Sequence, residues 1–325
     1  MTLAARARAA ARGLSALLAR VRRDALGMNR RNVSFLVPYN PRPLFALVDH
    51  KPSTKERLAH DGIPVPVTFA ELGRAWDVRR LGTVLAPHAD FVIKPARGAG
   101  GGGVLVITGR DGDAFVKASG ERLGLRALED HCVEILGGAF ARRQHSDQVL
   151  IEYRVRPDSV LGGISYRGVA DVRVLVFRGV PVQAMLRLPT RASDGRANLH
   201  MGGMGVGVDL ASGTTTHAVL NGAPAPVHPD LGRSVLGVQV PVWETLLEIA
   251  TRCFDAVPLG FLGVDLVLDA DLGPLVLELN GRPGLTIQLA NGRGLRRRME
   301  ALERREVRGL GVAERIALGR ALQTT

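Results

Sequence analysis

The sequence predicts an α+β protein of at least two lobes, in which helices accompany antiparallel β-hairpins. Three observations support this fold class. Short β-rich runs flank a glycine-rich stretch at 91–107, paired strand runs with turn signals occur at 170–190 and 263–280, and helical periodicity occurs at 127–140 and 242–257. The 325 residues, 46% hydrophobic and 23% charged, are enough to bury a large core and have the composition of a globular chain.

The first fifty residues are expected to be helical at the start and irregular afterwards. An amphipathic helix up to residue 31 precedes a break at GMNRRN, and a proline-rich connector with short extended pieces follows over 32–52. Ser53 and Glu56 have the spacing of a capping box, which predicts a helix that runs to His60 and ends at Gly62.

The middle of the chain is predicted to be rich in strands. Strands are expected at 91–94 and 104–107 and again from Val149 onward, with a hairpin turn at Arg178-Gly179. Residues 191–215 are glycine-rich and weakly periodic, so we expect a functional loop there.

A helix begun by Pro241 is predicted over 242–257, before the last strand pair. No internal repeat is visible in the sequence. The predicted divisions are an N-terminal helix and connector (1–50), a first lobe (51–155), a second lobe (156–300) and a C-terminal helix (301–325).

The formal net charge of +12 comes mainly from arginines near the two ends of the sequence, since four of the 43 basic residues are lysine. Such a charge attracts nucleic acid, an acidic membrane surface or an acidic polypeptide. No aromatic residues interleave with the arginines to stack on bases, so we expect solvated helices rather than a nucleic-acid surface. Membrane-surface contact through the Arg-rich N-terminal segment, and a mitochondrial presequence over 1–23, stay open as alternatives.

The two cysteines and the apolar runs indicate where the protein works. Cys132 and Cys253 suit neither a disulfide framework nor a zinc cluster. The opening MTLAARARAA lacks an uninterrupted apolar core before a cleavage site, and the apolar runs are too short to span a bilayer. We therefore expect a cytoplasmic protein.

The stretch FVIKPARGAGGGGVLVI has five glycines in six positions between two strands, and Lys94 lies on the incoming strand. A dinucleotide-binding loop would open a helix, and a Walker A loop would carry a lysine after its last glycine; neither condition holds here. A glycine-rich hairpin lays backbone N–H groups over phosphates while a lysine neutralises their charge. A surface hairpin that needs glycine only for its turn is the alternative. The rarity of lysine in this chain favours phosphate binding.

The strand pair GVDLVLDADLGPLVLELN carries facing carboxylates. If Asp269 pairs with Pro274, then Asp265 lies opposite Glu278, and Asn280 lies on the same face. Carboxylates with Cβ atoms about 5 Å apart repel one another, and a divalent cation removes that repulsion. Two carboxylates and an amide oxygen suit Mg²⁺, with Mn²⁺ as the alternative ion. A solvated edge is the other interpretation, against which the flanking Leu and Val runs argue.

Several arginines accompany these acids in the strand-rich segments. Arg173, Arg187 and Arg282 are our candidate catalytic residues, because arginines beside a metal site bind phosphate oxygens or a substrate carboxylate bidentately. The sequence contains no nucleophile elbow and no HExxH metal motif.

In order along the chain, FVIKPARGAGGGG, LIEYRV, ADVRVLVF, GRANLHMGG, GVDLVL and LELNGRPGL resemble the ATP-grasp superfamily. Within it, the sequence is most similar to the α-L-glutamate ligase-like proteins, which are related to the glutamate ligases that modify ribosomal protein S6. The resemblance covers roughly 51–292 and implies an ATP-grasp fold, with two α+β lobes whose antiparallel sheets clasp ATP. The N-terminal region is reduced, because those ligases carry a full α/β lobe where this chain has about fifty residues without strand–helix alternation.

The resemblance also implies roles for individual residues. The glycine loop would close over ATP as a lid, and the segment after Glu152 would form the hinge around the adenosine. The nucleotide ligands would be Lys55, Lys94, Gly98, Gly100, Gly101, Gly102, Glu152, Tyr153, Arg154, Val155, Asp171, Arg196 and Asn198. Asp265, Glu278 and Asn280 would hold one or two Mg²⁺ ions.

The activity that the resemblance implies is ATP-dependent ligation of a carboxylate to an amine through an acyl phosphate. The expected partners are ATP, an amino acid such as glutamate or another carboxylate, and an amine acceptor on a peptide, protein or small molecule; oligomer formation stays open. A catalytically silent ATP-binding regulatory module is the alternative, and a basic adaptor on nucleic acid or membrane is a third. The complete set of Lys94, Asp265, Glu278 and Asn280 argues against the silent module.

Overall fold

The computed structural model describes residues 23–98, 101–141 and 146–324, which form two antiparallel sheets with helices packed on them. Sheet A, in spatial order, consists of β1 (Thr68–Leu72), β6 (Val149–Glu152), β2 (Phe91–Pro95), β3 (Leu105–Asp111), β4 (Ala114–Lys117) and β5 (Arg122–Leu123). Sheet B consists of β11 (Ala223–Pro224), β10 (Thr215–Leu220), β9 (Met204–Val208), β8 (Val180–Leu188), β7 (Asp171–Phe177), β12 (Phe261–Asp269) and β13 (Gly273–Asn280). The α+β fold class is confirmed.

Five helices have eight residues or more in the described part of the chain. They are α1 (Lys51–His60), α2 (Leu125–Leu136), α3 (Trp243–Ala256), α4 (Arg296–Glu303) and α5 (Val312–Ala321). Shorter helical segments are Met28–Arg30, Arg31–Leu36, Val37–Tyr39, Arg42–Val48, Ala75–Arg80, Leu81–Leu85, Ser159–Gly162, Leu199–Met201, Ile287–Ala290 and Leu322–Thr324. None of the helices in the described ranges is long and apolar enough to cross a bilayer.

Sheet A has its own hydrophobic core beneath α2. Leu128, Cys132 and Ile135 are spaced four and three residues apart, so they share one face of α2, and all three are buried. They pack with Phe91 and Ile93 of β2. The glycine hairpin and its lysine therefore begin from a strand that is fixed by this core.

Sheet B is covered on both faces. On one face, Leu246 and Ala250 of α3 pack in the same cluster as Val264 of β12. On the other, the rings of Phe35 and Phe177 meet edge to face with centroids 5.4 Å apart. All nine residues of β12 are buried, which explains why that strand reads as an almost continuous apolar run.

The β12–β13 hairpin has the predicted pairing near the acids but a different turn. Asp269 pairs with Gly273 and not, as was predicted, with Pro274. Taken alone, this difference would shift the partner of every other β12 residue by one position. A bulge between Asp265 and Leu266 takes up the extra residue. Asp265 therefore still lies opposite Glu278, as predicted.

Helices replace the predicted break at GMNRRN and the predicted extended connector over 32–52. Phe35 and Leu36 gain burial against sheet B from the helical conformation. Pro43 lies in the first turn of its helix, where the missing N–H costs no hydrogen bond. Most of the amphipathic helix predicted up to residue 31 lies outside the described residues.

Two further local predictions are partly wrong. Helix α1 begins at Lys51 with Pro52 in its first turn and His50 as N-cap, so Ser53 and Glu56 do not form a capping box; its end at His60 is as predicted. The loop predicted over 191–215 contains strand β9, whose glycines allow close packing rather than flexibility. A Cβ on Gly207 would lie 2.5 Å from the Ala290 carbonyl oxygen.

Candidate functional site

Three of the four lysines in the sequence lie around two glutamates where the sheets approach each other. Glu152, at the end of β6, is 3% exposed and forms ion pairs with Lys94 of the neighbouring β2 and with Lys55 of α1. The Lys55 Nζ atom lies 2.6 Å from Glu152 Oε2 and 2.9 Å from Thr68 Oγ1. Sheet pairing and α1 thus bring two predicted nucleotide-binding lysines to one predicted nucleotide-binding carboxylate.

The charges in this cluster are strongly coupled. Burial alone would raise the pKa of Glu152, but the ammonium groups of Lys94 and Lys55 hold that pKa below its usual value. Burial lowers the pKa of Lys55, and Glu152 opposes that shift. Two buried cations against one carboxylate leave positive charge, which an anionic ligand would neutralise.

Lys51 is the site residue that the sequence analysis missed. Its Nζ donates to the Gly98 carbonyl oxygen at 2.6 Å and lies 3.6 Å from Glu278 Oε1. Burial lowers the pKa of Lys51, and the nearby Glu278 partly offsets this shift. Lys51 thus connects the glycine loop of sheet A to the predicted metal-binding strand of sheet B. The rarity of lysine, which pointed to Lys94, was the available signal.

The glycine loop packs closely on its surroundings. Gly101 has a φ of +81°, and a Cβ there would lie 3.3 Å from Arg196 Cδ. Gly103 has a φ of +72°, and a Cβ there would lie 2.6 Å from the Phe140 ring. The backbone conformation and the close contacts both select glycine. Gly102 lies in the same turn, whereas Gly100 lies outside the described residues.

The acids of sheet B are held by arginines on adjacent strands. Asp265 accepts from Arg173 on β7 at 2.6 Å and 2.5 Å and from Arg187 on β8 at 2.7 Å. Arg187 also donates to both carboxylate oxygens of Asp171, at 2.5 Å and 2.7 Å. Asn280 Nδ2 donates to Asp265 Oδ2 at 3.1 Å. Four predicted site residues therefore form one network with Asp265.

This network changes the physical argument for a metal. The guanidinium groups of Arg173 and Arg187 already offset the repulsion expected between Asp265 and Glu278. Within the described ranges, no group of three or more His, Cys, Asp or Glu side chains is arranged to hold a metal ion. The Glu278 side chain is 35% exposed, and an amide oxygen from Asn280 lies on the same strand. The donor set that fits Mg²⁺ is thus Glu278 with Asn280, and Asp265 would have to share its oxygens with the arginines.

The pKa values of the two buried aspartates are shifted in opposite directions. Burial raises the pKa of Asp171 to about 6, with Asp265 adding to the shift and Arg187 opposing it. Burial would also raise the pKa of Asp265, but Arg173 and Arg187 hold that pKa below its usual value. Asp265 is therefore ionised at neutral pH, whereas Asp171 takes up its proton as pH falls to about 6.

The segment after Glu152 joins the two sheets. Tyr153 donates its hydroxyl to Asp269 Oδ1 at 3.2 Å, at the turn of the β12–β13 hairpin. The Arg154 guanidinium forms an ion pair with Asp90, just before β2, at 2.8 Å. Val155 is buried in a small cluster of sheet B residues. These contacts are consistent with the predicted hinge, since they tie its residues to both sheets.

Three further predicted residues have other contacts among the described residues. Arg282 stacks over the Phe45 ring at 3.8 Å and lies 3.7 Å from Asp49. Asn198 caps the short helical turn that follows it by accepting from the His200 backbone N–H. Arg196 forms an ion pair with Asp194 at 3.7 Å, and the Gly101 contact brings it to the glycine loop.

The profile of the family described as sugar-transfer associated ATP-grasp matches residues 30–304. The chain is 28% identical over 258 residues to a probable alpha-L-glutamate ligase of Xanthomonas oryzae pv. oryzae, and 29% identical over 258 residues to one of Xanthomonas axonopodis pv. citri. Both alignments cover 78% of this chain and 64% of the relative, so the chain spans less than two thirds of the length of these curated relatives.

Two solved structures show weaker likeness. The ATP-grasp ligase PsnB, complexed with a minimal precursor, is 18% identical with a TM-score of 0.40, over 76% of this chain and 56% of that one. A D-alanine–D-alanine ligase from Bacillus anthracis is 16% identical with a TM-score of 0.44, over 86% and 69%. The family profile, which spans most of the sequence, confirms the predicted ATP-grasp fold: the chain belongs to the sugar-transfer associated ATP-grasp family.

Proposed function

We propose that the chain is an ATP-dependent carboxylate–amine ligase that forms an amide bond through an acyl phosphate. The observation that carries this proposal is the convergence of Lys51, Lys55 and Lys94 beside the glycine hairpin, next to the carboxylates of Glu152 and Glu278. Names of the curated relatives support the same class of chemistry.

The lysine cluster fits a triphosphate. Three ammonium groups face two carboxylates, so the site has positive charge to spare for phosphate oxygens. Lys94 lies on the strand that enters the glycine loop, and Lys51 donates to the Gly98 carbonyl at the start of that loop. Lys55 keeps Glu152 paired when Lys94 turns to a phosphate, so the buried carboxylate never loses both partners.

Glu278, Asn280 and Asp265 would hold Mg²⁺. Magnesium, when bound, offsets the charge that builds on a transferring phosphoryl group. If Glu278 turns to a cation, Lys51 loses its carboxylate partner and its ammonium becomes available to a phosphate. Arg173 and Arg187 fix the orientation of Asp265. Its Oδ1 atom accepts one hydrogen bond, from Arg173 Nε, and keeps a second lone pair for a metal ion.

The proposed reaction has two steps. A carboxylate oxygen of the substrate attacks the γ-phosphorus of ATP, and ADP leaves with the electrons of the broken P–O bond. The amine nitrogen then attacks the acyl carbon, phosphate leaves, and the nitrogen loses a proton as the amide forms. We assign Arg282, whose side chain is 52% exposed, to a substrate carboxylate rather than to the buried network. The glycine loop would exclude water from the acyl phosphate.

Glutamate is the proposed carboxylate substrate, because the curated relatives are named for it. The acceptors to test include amino sugars as well as amino acids and peptides, because the family description refers to sugar transfer. The test is an ADP-release screen over pairs of carboxylates and amines, with mass spectrometry of the products. A ligation product has the summed mass of its two substrates less one water. ATP binding without ADP release for any pair would instead support the silent regulatory module.

A further inference from the structure

Sheet B has a small cavity at the end of β10. The cavity lies between the helical turn Leu199–Met201, the turn after β10 and the short helix Ile287–Ala290, and its volume is about 190 Å³. A cavity of about 150 Å³ holds a benzene-sized ring, whereas pockets for drug-sized ligands begin at about 300 Å³. This cavity therefore has room for one six-membered ring.

The strand register places this cavity near the Asp265 network. Arg187 of β8 pairs with Gly205 of β9, and Gly205 pairs with Val219 of β10, which lines the cavity. Because paired residues lie on the same face and neighbouring strands are about 4.8 Å apart, the backbones of Val219 and Arg187 are about 10 Å apart. Leu199 covers the glycine between them, since a Cβ on Gly205 would lie 2.7 Å from Leu199 Cδ2.

The side chains that line the cavity are aliphatic or polar. Leu199, Val219 and Leu289 supply the aliphatic wall. Apart from His200, no ionisable side chain lines the cavity within the described part of the chain. A carboxylate or an ammonium group enclosed there would lose its hydration without gaining a counter-ion. The ligand class that fits this lining is therefore uncharged.

Three polar side chains of the lining are available to a ligand. The Thr286 hydroxyl, the Asn221 amide and the His200 imidazole have no hydrogen bond to any residue that the structure describes. Thr286 is the N-cap of the helix Ile287–Ala290 but makes no side-chain capping bond, which is the usual use of a threonine there. A hydroxyl, an amide and an imidazole together offer both donors and acceptors, as several hydroxyl groups on one ring require.

We propose that this cavity holds one uncharged, polyhydroxylated ring of the amine acceptor, such as a monosaccharide unit. Leu199 and Leu289 pack on the C–H groups of the ring, and the three polar side chains bond its hydroxyls. An amino group on this ring is directed toward Arg187, beside which the acyl phosphate would form. The role as an acceptor subsite rests on the proposed function, whereas binding of the ring does not. A carboxylate substrate such as glutamate lies with the arginines instead.

The polar lining favours a hydroxylated ring over the other neutral ligands of this size. An apolar ring would take water from the three polar side chains and give them no partner. The side chain of an uncharged amino acid carries a single hydroxyl or amide group, so part of the lining would stay unpaired. A ring with several hydroxyl groups satisfies the polar side chains and also covers the aliphatic wall.

The test is saturation-transfer NMR of the full chain, without ATP, with the neutral methyl glycosides of glucose, galactose and mannose. The wild type should bind at least one of them with millimolar affinity. Leu289→Trp fills the cavity and should abolish the signal. Leu272→Trp is the matched control and should bind like the wild type, because Leu272, in the β12–β13 turn, is 50% exposed and Leu289 is 52% exposed. Thr286→Val, which replaces a hydroxyl by a methyl group, should weaken binding about fivefold.

A folded wild type that binds none of the three glycosides would overturn the proposal, as would equal binding by Leu289→Trp and the wild type. Cyclohexanol that binds more tightly than every glycoside would show an apolar site and would overturn it as well. If Leu289→Trp fails to fold by circular dichroism, Leu289→Phe takes its place. Because glycoside binding is measured without ATP, its failure leaves the ligase proposal standing, and an absence of ADP release for every substrate pair leaves the glycoside site standing.

Discussion

At the scale of single residues, Glu152 determines how the first lobe holds its cations. Its buried carboxylate fixes Lys94 and Lys55 in place before any ligand binds. A ligand that takes Lys94 away leaves Lys55 to balance Glu152, so the buried charge stays compensated. The lysines are thus positioned in advance, which lowers the ordering cost of binding.

Replacing Lys94 tests this positioning. Lys94→Ala should weaken ATP binding by about tenfold or more, because a charge-assisted contact to phosphate is worth about 1.5–3 kcal/mol. Isothermal titration calorimetry measures the change. Lys117→Ala is the control, since Lys117 lies on β4 and pairs with Glu121 at the surface. Equal ATP affinity in the Lys94 variant and the wild type would remove Lys94 from the site.

Asp171 should give the stability a pH dependence of its own. Its pKa is raised from 3.8 to about 6, so the folded state holds this proton more tightly than the unfolded state. The contribution of Asp171 to the free energy of unfolding is therefore full below about pH 4 and is lost as pH rises to about 6, a change on the order of 3 kcal/mol. Asp171→Asn should lack this loss.

Urea unfolding of the wild type and of Asp171→Asn, at several pH values between 4 and 7, gives the free energy of unfolding of each protein as a function of pH. Carboxylates distant from Asp171 contribute to both proteins alike and drop out of this comparison, so the difference reports Asp171 together with Asp265, to which it is coupled. Curves that run parallel over the whole range would show that Asp171 has an ordinary pKa.

At the scale of elements, the turn of the β12–β13 hairpin is organised by one buried side chain. Asp269 is 2% exposed and accepts from the Tyr153 hydroxyl and from the backbone N–H groups of Arg156, Asp271 and Leu272. This aspartate therefore holds the hairpin that carries the predicted metal ligands against the connection between the sheets.

Asp269→Ala should lower the free energy of unfolding by about 2–4 kcal/mol, because it leaves several donors without an acceptor. Asp271→Ala, two residues away, removes a carboxylate that is 55% exposed and should cost less than about 1 kcal/mol. Urea denaturation compares the two variants with the wild type. Equal losses in the two would contradict this role of Asp269.

Local sequence signals predicted some elements well and others badly. The Arg178-Gly179 turn was predictable, because both residues adopt positive φ, at 50° and 79°, in a two-residue hairpin. The helices over 28–48 were not predictable from local signals. They are stabilised by burial of Phe35 against Phe177, on a strand more than a hundred residues away. The bulge at Asp265 was not predictable either, because the alternation of side chains along a strand does not reveal an inserted residue.

At the scale of the whole molecule, the candidate site was predictable in its residue types and less so in its contacts. Lys94 could be recognised from the rarity of lysine, and Asp265 with Glu278 from strand alternation. The pairing of Asp265 with Arg173 and Arg187 depends on β7 lying between β8 and β12, an order that no single stretch of sequence encodes. Lys51 was missed for a related reason, because its partners come from two different sheets.

The central claim, that the two lobes together form a ligase site, is tested most directly by ADP release. Wild-type protein, Asp265→Ala with Glu278→Ala, and the Lys117→Ala control should be compared with ATP, Mg²⁺ and the carboxylate–amine pair found in the screen. We predict that release depends on both substrates and is the same in the control, and that the double variant loses about a hundredfold or more. Wild-type ADP release by a folded double variant would contradict the assignment.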